Sequence, residues 1–268
     1  MARELNNEFS WKTATFMARL SYHCYADEKE FKKQFGKQWH HIEFFSNRGT
    51  QCYVLHCPKN YIVVFRGTEI TSWIDIKADL RFHKRKKEFQ PSKSGVGTVG
   101  KIHSGFRDAL NDGWDDLVSH YNYHAKGKQL LVTGHSLGAA LATLYSDRMA
   151  DKKSVCYTFG SPRVGNKQLI GNMRFTCYRF RNNNDIVTRI PPEWWGYTHK
   201  SDELIYFDVN GVIRHGFSRM YMLSQWFRGT YRTLMRDKTW DAFADHLIGE
   251  YYKLCKEQLI EENANVSD

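Results

Sequence analysis

Along this chain the apolar positions recur with two different periods, and the switches between them mark its elements. Trp11, Thr15, Ala18, Tyr22 and Tyr25 fall on one face at spacings of three and four, which predicts a helix from Ser10 to about Phe35 with Ser10 capping its first turn. Gln51–Cys57 and Tyr61–Arg66 read as strands, separated by Pro58, Lys59 and Asn60, a hairpin turn. Phe106, Leu110, Trp114, Leu117 and Tyr121 mark a helix over Ser104–Ala125. Beyond it come a short buried strand at Gln129–Thr133, an Ala/Leu-rich helix at Leu137–Met149, and strands at Ser154–Phe159, Phe175–Phe180 and Leu204–Val209. A helical tail follows at Trp240–Ile260. Strands alternating with helices predict an α/β fold with a mainly parallel sheet. Nothing marks a domain boundary, so residues 1–268 are expected to form a single domain.

Composition narrows the function classes. With 41% hydrophobic and 25% charged residues, the 268-residue chain is neither disordered nor a coiled coil. No apolar run approaches the ~18 residues of a membrane span. Lys and Arg number 39 against 29 Asp and Glu, a net charge of +10. Part of that excess clusters at His83, Lys84, Arg85, Lys86 and Lys87, within a Gly-, Lys- and Ser-rich stretch, Arg81–Lys101, that reads as a long surface loop. Such a patch is either a solvated loop or a surface that steers toward anionic interfaces such as lipid headgroups. No nucleic-acid recognition motif accompanies it, so no specific nucleic-acid partner is expected.

Of the six cysteines, Cys24, Cys156, Cys177 and Cys255 sit in apolar segments as small core groups, and Cys52 and Cys57 lack a second pair for a zinc pattern. Met1–Glu8 carries Arg3, Glu4 and Glu8 with no apolar stretch after it, unlike a secretory signal. Reduced thiols and a cytoplasmic location are the resulting expectations. His40, His41 and His103 show no metal-ligand spacing, and no metal or cofactor is expected. Gly95–Gly100 has glycine spacing like that of a dinucleotide loop but lacks the preceding strand.

The chemistry-bearing signal is Gly134-His135-Ser136-Leu137-Gly138, a G-x-S-x-G pattern after the apolar run Leu130-Leu131-Val132 and before Ala139-Ala140-Leu141-Ala142. Strand, sharp turn and helix together present a serine hydroxyl at the carboxyl edge of a sheet. The turn strains the serine backbone and needs tiny neighbours, which Gly134 and Gly138 supply. The Leu137 N–H, at the helix N-terminus, can then face a developing oxyanion. The plainer reading is a serine cap on a buried helix. A serine becomes nucleophilic only with a base, and the base needs a carboxylate to hold it. His199, His215 and His246 all follow far enough downstream to act as base. Asp185, just after the strand Phe175–Phe180, is the acid candidate; an ordinary turn cap is its plainer role.

Further segments carry a resemblance. They are Phe65-Arg66-Gly67-Thr68, Ile102-His103-Ser104-Gly105-Phe106, Thr133 to Gly138, Thr158 to Asn166, Asn184-Asp185-Ile186-Val187 with Pro191-Pro192, Gly196-Tyr197-Thr198-His199, and Asp245-His246. In this order the sequence resembles the class 3, fungal-type triacylglycerol lipases. The resemblance implies an α/β-hydrolase fold with helices on both sheet faces. It also implies Ser136 as nucleophile, Asp185 as acid and His246 as base, with His199 structural. The oxyanion donors it implies are the backbone N–H groups of Thr68 and Leu137. A lid is implied at Thr71–Leu80, where Trp73, Ile74 and Ile76 would meet substrate; a fixed amphipathic helix is the alternative. The expected activity is hydrolysis of acylglycerol esters through an acyl-enzyme, with phospholipase A1 or aryl-ester (feruloyl-type) esterase as alternatives and a non-catalytic lipase-like scaffold as the rival class. Lipid or small esters are the expected partners, with peripheral contact at lipid interfaces. Trp194 and Trp195 are expected in a packed loop.

Overall fold

The computed structural model describes residues 5, 8–39, 41–48, 50–67, 100–149, 151, 153–214 and 244–265. Thr68, the lid segment with Trp73, Ile74 and Ile76, most of the basic loop and His215 lie outside them.

The first helical stretch is two helices. α1 (Trp11–His23) is capped by Ser10, whose side chain accepts from Thr13 N–H, and α2 (Glu28–Phe35) by Asp27, whose side chain accepts from Glu30 N–H. A run of apolar spacing cannot reveal this break, because Asp27 competes for the helix backbone only as a cap. Similarly, Ser104–Ala125 divides into α3 (Ser104–Asp112) and α4 (Trp114–His124) at Gly113. The tail helix α7 spans Ile248–Asn265.

β1 (His41–Asn47), β2 (Thr50–His56) and β3 (Asn60–Phe65) form an antiparallel meander, with the expected turn before Asn60. β1 was not legible in the sequence: it is an outer strand with no clean alternation. β4 (Gln129–His135), β5 (Val155–Phe159), β7 (Thr176–Asn182) and β9 (Glu203–Phe207) continue from β3 in parallel, and β10 (Ile213–Arg214) closes the far side antiparallel. Among the described residues the order is β1-β2-β3-β4-β5-β7-β9-β10, mainly parallel at its centre. A small ladder of β6 (Gly165–Asn166) and β8 (Tyr197–Thr198) lies outside it, with α6 (Lys167–Asn172) following β6.

The core lies on both sheet faces. On one, Met17, Leu20, Ile62, Leu131, Phe159, Phe180 and Tyr251 join α1 and α7 to the strands. On the other, Val63, Phe65, Leu110, Val132, Leu141 and Tyr145 join α3 and α5 (Leu137–Met149) to them. Burying such side chains contributes ~1.5–3 kcal/mol each. Strands covered on both faces read as unbroken apolar runs, as Tyr61–Phe65 and Leu130–Val132 do. The loop at Trp194 departs from the packed expectation: the indole is 83% exposed, on a 3-10 turn (Glu193–Trp195) with no buried residue. No helix among the described residues is long and apolar enough to cross a membrane.

Candidate active site

Ser136 stands where β4 becomes α5 within one residue. Its φ is +59°, in the left-handed region that costs a non-glycine residue roughly 1–2 kcal/mol. Its N–H donates to the Phe159 carbonyl at 3.0 Å, and its carbonyl accepts from Ala139 N–H at 3.0 Å. Gly134 and Gly138 are required for space. A Cβ on Gly134 would lie 2.4 Å from the Gly138 carbonyl, and one on Gly138 would lie 2.3 Å from the Phe65 oxygen. The motif therefore lets backbone touch backbone on both sides of the turn. Ser136 Oγ is buried and forms no hydrogen bond among the described residues. Contacts of this kind often tighten only when substrate binds. Beside it, Leu137 opens α5, and its N–H belongs to the first turn, where a helix leaves donors unpaired and its dipole is positive.

Asp185 and His246, far apart in sequence, meet. Asp185 follows β7 and is fully buried. Its Oδ1 accepts from Val187 N–H at 2.8 Å, and its Oδ2 accepts from the Tyr251 hydroxyl at 2.6 Å. His246 Nδ1 lies 3.0 and 2.9 Å from the two carboxylate oxygens. A buried carboxylate is tolerable only with such donors around it. The pairing assigns the proton to Nδ1 and turns Nε2 to the other side of the ring. Tyr251, one of the residues that sequence reasoning passed over as a site member, also accepts from Asn182 N–H at 3.0 Å. Burial and the adjacent Asp185 push its hydroxyl well above the ordinary phenol range.

The Asp185 loop and the His246 turn are stitched together by Asn182, Asn183 and Asn184. Asp245 Oδ2 accepts from Asn183 Nδ2 at 3.0 Å and from Asn184 N–H at 2.9 Å, while the Asp245 carbonyl accepts from Asn182 Nδ2 at 3.1 Å. Asn183 holds φ +26°, a conformation asparagine tolerates better than most residues. From local sequence the Asn run reads only as a turn.

His135, the residue before the serine, holds His246 from behind. Its Nε2 is 2.6 Å from the His246 carbonyl and its Nδ1 is 2.9 Å from the Tyr25 hydroxyl. A carbonyl only accepts, so Nε2 carries the proton and Nδ1 accepts from tyrosine. The two imidazole centroids are 4.5 Å apart, which places His246 next to the serine turn. Gly67 completes the neighbourhood: a Cβ there would lie 2.3 Å from Tyr25 Oη and 3.3 Å from Ser136 Cβ. The end of the β3 segment thus runs alongside the serine. His199 does not reach the carboxylate. Its Nε2 donates to the Thr188 carbonyl at 2.8 Å, and Thr188 Oγ1 donates to the Asp185 carbonyl at 2.7 Å. It props the Asp185 loop from outside.

Burial, with His246 nearby, holds His135 well below the usual histidine range. Burial, then Arg179 and Arg163, does the same to His199. Both stay neutral when folded, whereas in the unfolded chain they take a proton near pH 6.5. Their contribution to stability is therefore complete above about pH 6.5 and is lost as pH falls below it, by up to about 1.4 kcal/mol per pH unit for each buried ring. Urea midpoints measured from pH 7 to pH 5.5 should fall; a flat profile would contradict the assignment.

A mainly parallel sheet covered on both faces, with a strained serine between strand and helix, defines an α/β-hydrolase. Within that class, the family described as Lipase (class 3) matches residues 62–195, half of the chain. A secreted mono- and diacylglycerol lipase of Malassezia globosa is 30% identical over 229 residues, covering 77% of this chain and 72% of that protein. The chain belongs to the class 3 lipase family. A lipase of Rhizomucor miehei is 32% identical over 159 residues, covering 54% of this chain and 41% of its own length. Of that Rhizomucor miehei lipase and of a second Malassezia globosa lipase, 52% covered, the chain spans only about half the length. Among solved structures, the Rhizomucor miehei triacylglyceride lipase aligns with TM-score 0.56 at 24% identity, covering 75% of this chain and 82% of that one. The lipase of Rhizopus microsporus var. chinensis aligns with TM-score 0.56 at 24% identity, covering 77% and 78%. These agree in fold.

The expectation of a cytoplasmic location is corrected by these relatives. Those from Malassezia globosa and Fusarium solani are named as secreted, which points to an extracellular location. The thiols carry no compartment signal. All six cysteines are buried and free, and burial pushes Cys24 up to about 12 and Cys52 and Cys255 further still, so these three are inert core groups in either compartment.

Proposed function

We propose that this chain is a serine ester hydrolase that cleaves acylglycerol esters through an acyl-enzyme. The observation that carries the reading is the buried Asp185–His246 pair, whose imidazole lies 4.5 Å, centroid to centroid, from His135, the neighbour of a serine at φ +59°. The names of the relatives support the acylglycerol class.

In the proposed cycle, Ser136 Oγ attacks the ester carbonyl carbon while His246 Nε2 takes its proton. Asp185 stabilises the imidazolium without itself taking the proton. The carbonyl oxygen becomes an oxyanion that accepts from Leu137 N–H and, in this reading, from the N–H of Thr68, the residue after Gly67. Loss of one such donor costs about 10²–10³ in rate. The carbon–oxygen bond to the alcohol then breaks, and the imidazolium protonates the leaving alkoxide. Water, deprotonated by His246, attacks the acyl-enzyme; the fatty acid leaves and Ser136 recovers its proton. Trp73, Ile74 and Ile76 are assigned to a cover that shields apolar surface in water and yields it at a lipid interface. A fungal lipase–inhibitor complex aligned to this chain is described as a model for interfacial activation, which supports that assignment.

Turnover of p-nitrophenyl esters, followed by an acylglycerol series and a phospholipid above and below phase separation, tests the reading. His246→Ala should lower kcat by about 10⁴-fold or more. His199→Ala should cost far less per folded molecule, because it only props a loop. The reverse ranking would move the base to His199, and hydrolysis confined to the phospholipid would replace the acylglycerol assignment.

A further inference from the structure

The antiparallel meander and α4 bring together four metal-ligating side chains at the sheet edge opposite the serine. The β1–β2 register sets His41 across from His56, and the β2–β3 register sets His56 across from Tyr61. Glu43, two residues along β1 from His41, shares that face by the alternation of a strand. α4 carries His120 and His124 one helical turn apart, and both meet this face. The His120 and His124 ring centroids are 4.3 Å apart, and those of His56 and His124 are 4.8 Å apart. His120 Nε2 lies 3.2 Å from Glu43 Oε1. One ligand atom from each of Glu43, His56, His120 and His124 lies within 4.8 Å of every other.

We propose that Glu43, His56, His120 and His124 bind a zinc ion. Three imidazoles and one carboxylate form a borderline donor set, suited to zinc and unlike the all-oxygen shells of calcium or magnesium. Two ligands come preset from one face of a helix. A tetrahedral site with bonds of 2.0–2.1 Å places its ligand atoms about 3.4 Å apart, so the rings close inward by roughly 1 Å. Tyr61 supplies the outer support: its hydroxyl lies 2.7 Å from His120 Nδ1 and accepts that proton, leaving Nε2 for the metal. Lys128 acts against the ion, its ammonium lying 3.2 Å from His56 Nδ1. Four protein ligands fill a tetrahedron and leave no position for substrate. The place agrees with a structural role. Register sets Asn60, beside Tyr61, against Gln129 at the start of β4, whereas Ser136 follows its end. The ion would pin the β1–β2 ribbon to α4, with no part in ester cleavage.

The test uses the full chain stripped with chelator and titrated with zinc chloride at pH 7.5 by calorimetry and thermal melting. Binding of one ion per chain is expected. Melting temperature should rise by about 5 °C or more at a hundredfold excess over Kd. Ester turnover should not change, and magnesium should have no effect. His124→Ala, at the last position of α4, should weaken zinc about a hundredfold while the circular dichroism stays that of the parent. Lys128→Met should tighten it several-fold, because it removes the cation nearest the ion. No saturable binding, or affinity equal in the parent, His124→Ala and Lys128→Met proteins, would overturn the proposal.

Discussion

Ser136→Ala is expected to lower ester turnover by about 10⁶-fold and to leave the fold in place. The loss follows from removing the only atom that forms the acyl bond in the proposed cycle; binding and oxyanion donors alone leave a small residue of rate. The fold survives because Oγ forms no hydrogen bond among the described residues. Ser136→Gly should be equally inactive but more stable than Ser136→Ala, by about 1 kcal/mol, since glycine adopts φ +59° without the Cβ penalty. Comparing kcat and urea midpoints for the three proteins checks both halves. Turnover within a hundredfold of the parent in either variant would refute the nucleophile, and equal stability of the two would refute the strain.

Gly160→Ala should damage both stability and rate, although Gly160 lies between β5 and the Ser161-Pro162-Arg163 segment and offers no reactive group. Its φ is +59°, and a Cβ there would lie 2.7 Å from Asp185 Oδ2 and 2.9 Å from His246 Nδ1. Neither atom can retreat. The carboxylate is held by Val187 N–H and Tyr251, and the turn of His246 by His135 and the Asn182–Asn184 stitch. Forcing the pair apart strands a buried charge, so about 3–5 kcal/mol of stability and at least about 10³-fold in kcat should go. Gly171→Ala is the control, because a Cβ there meets nothing within 4 Å. Near-parental turnover in purified Gly160→Ala would show that the Asp185–His246 pair is not needed for the reaction.

Both predictions concern how the site is held, and this is where reading the sequence stopped short. Ser136 and Asp185 were legible as candidates because strand, turn and helix are local patterns, and His246 as a candidate because Asp245-His246 belongs to the segments that carry the family resemblance. Tyr25, His135, Gly160 and Tyr251 were not. Each acts on a residue distant in the chain, and by local pattern they are a helix-face aromatic, a motif filler, a turn glycine and a helical tyrosine. The break of α1 from α2 before Asp27 was missed for a related reason: apolar spacing persists across it, and only the Asp27 cap hydrogen bond marks where the second helix opens. The histidines of the proposed zinc site escaped because two lie one helical turn apart while the third sits on β2, beside Glu43 of a strand that alternation did not reveal.

By itself the sequence determined the α/β layering and the place of the serine between strand and helix, because hydrophobic period and turn chemistry are written in neighbouring residues. Only the tertiary structure decided which histidine meets the carboxylate and what braces that pair. Those contacts join residues up to 111 positions apart, such as His135 and His246, and are fixed by the parallel register of the sheet, which a linear pattern does not encode.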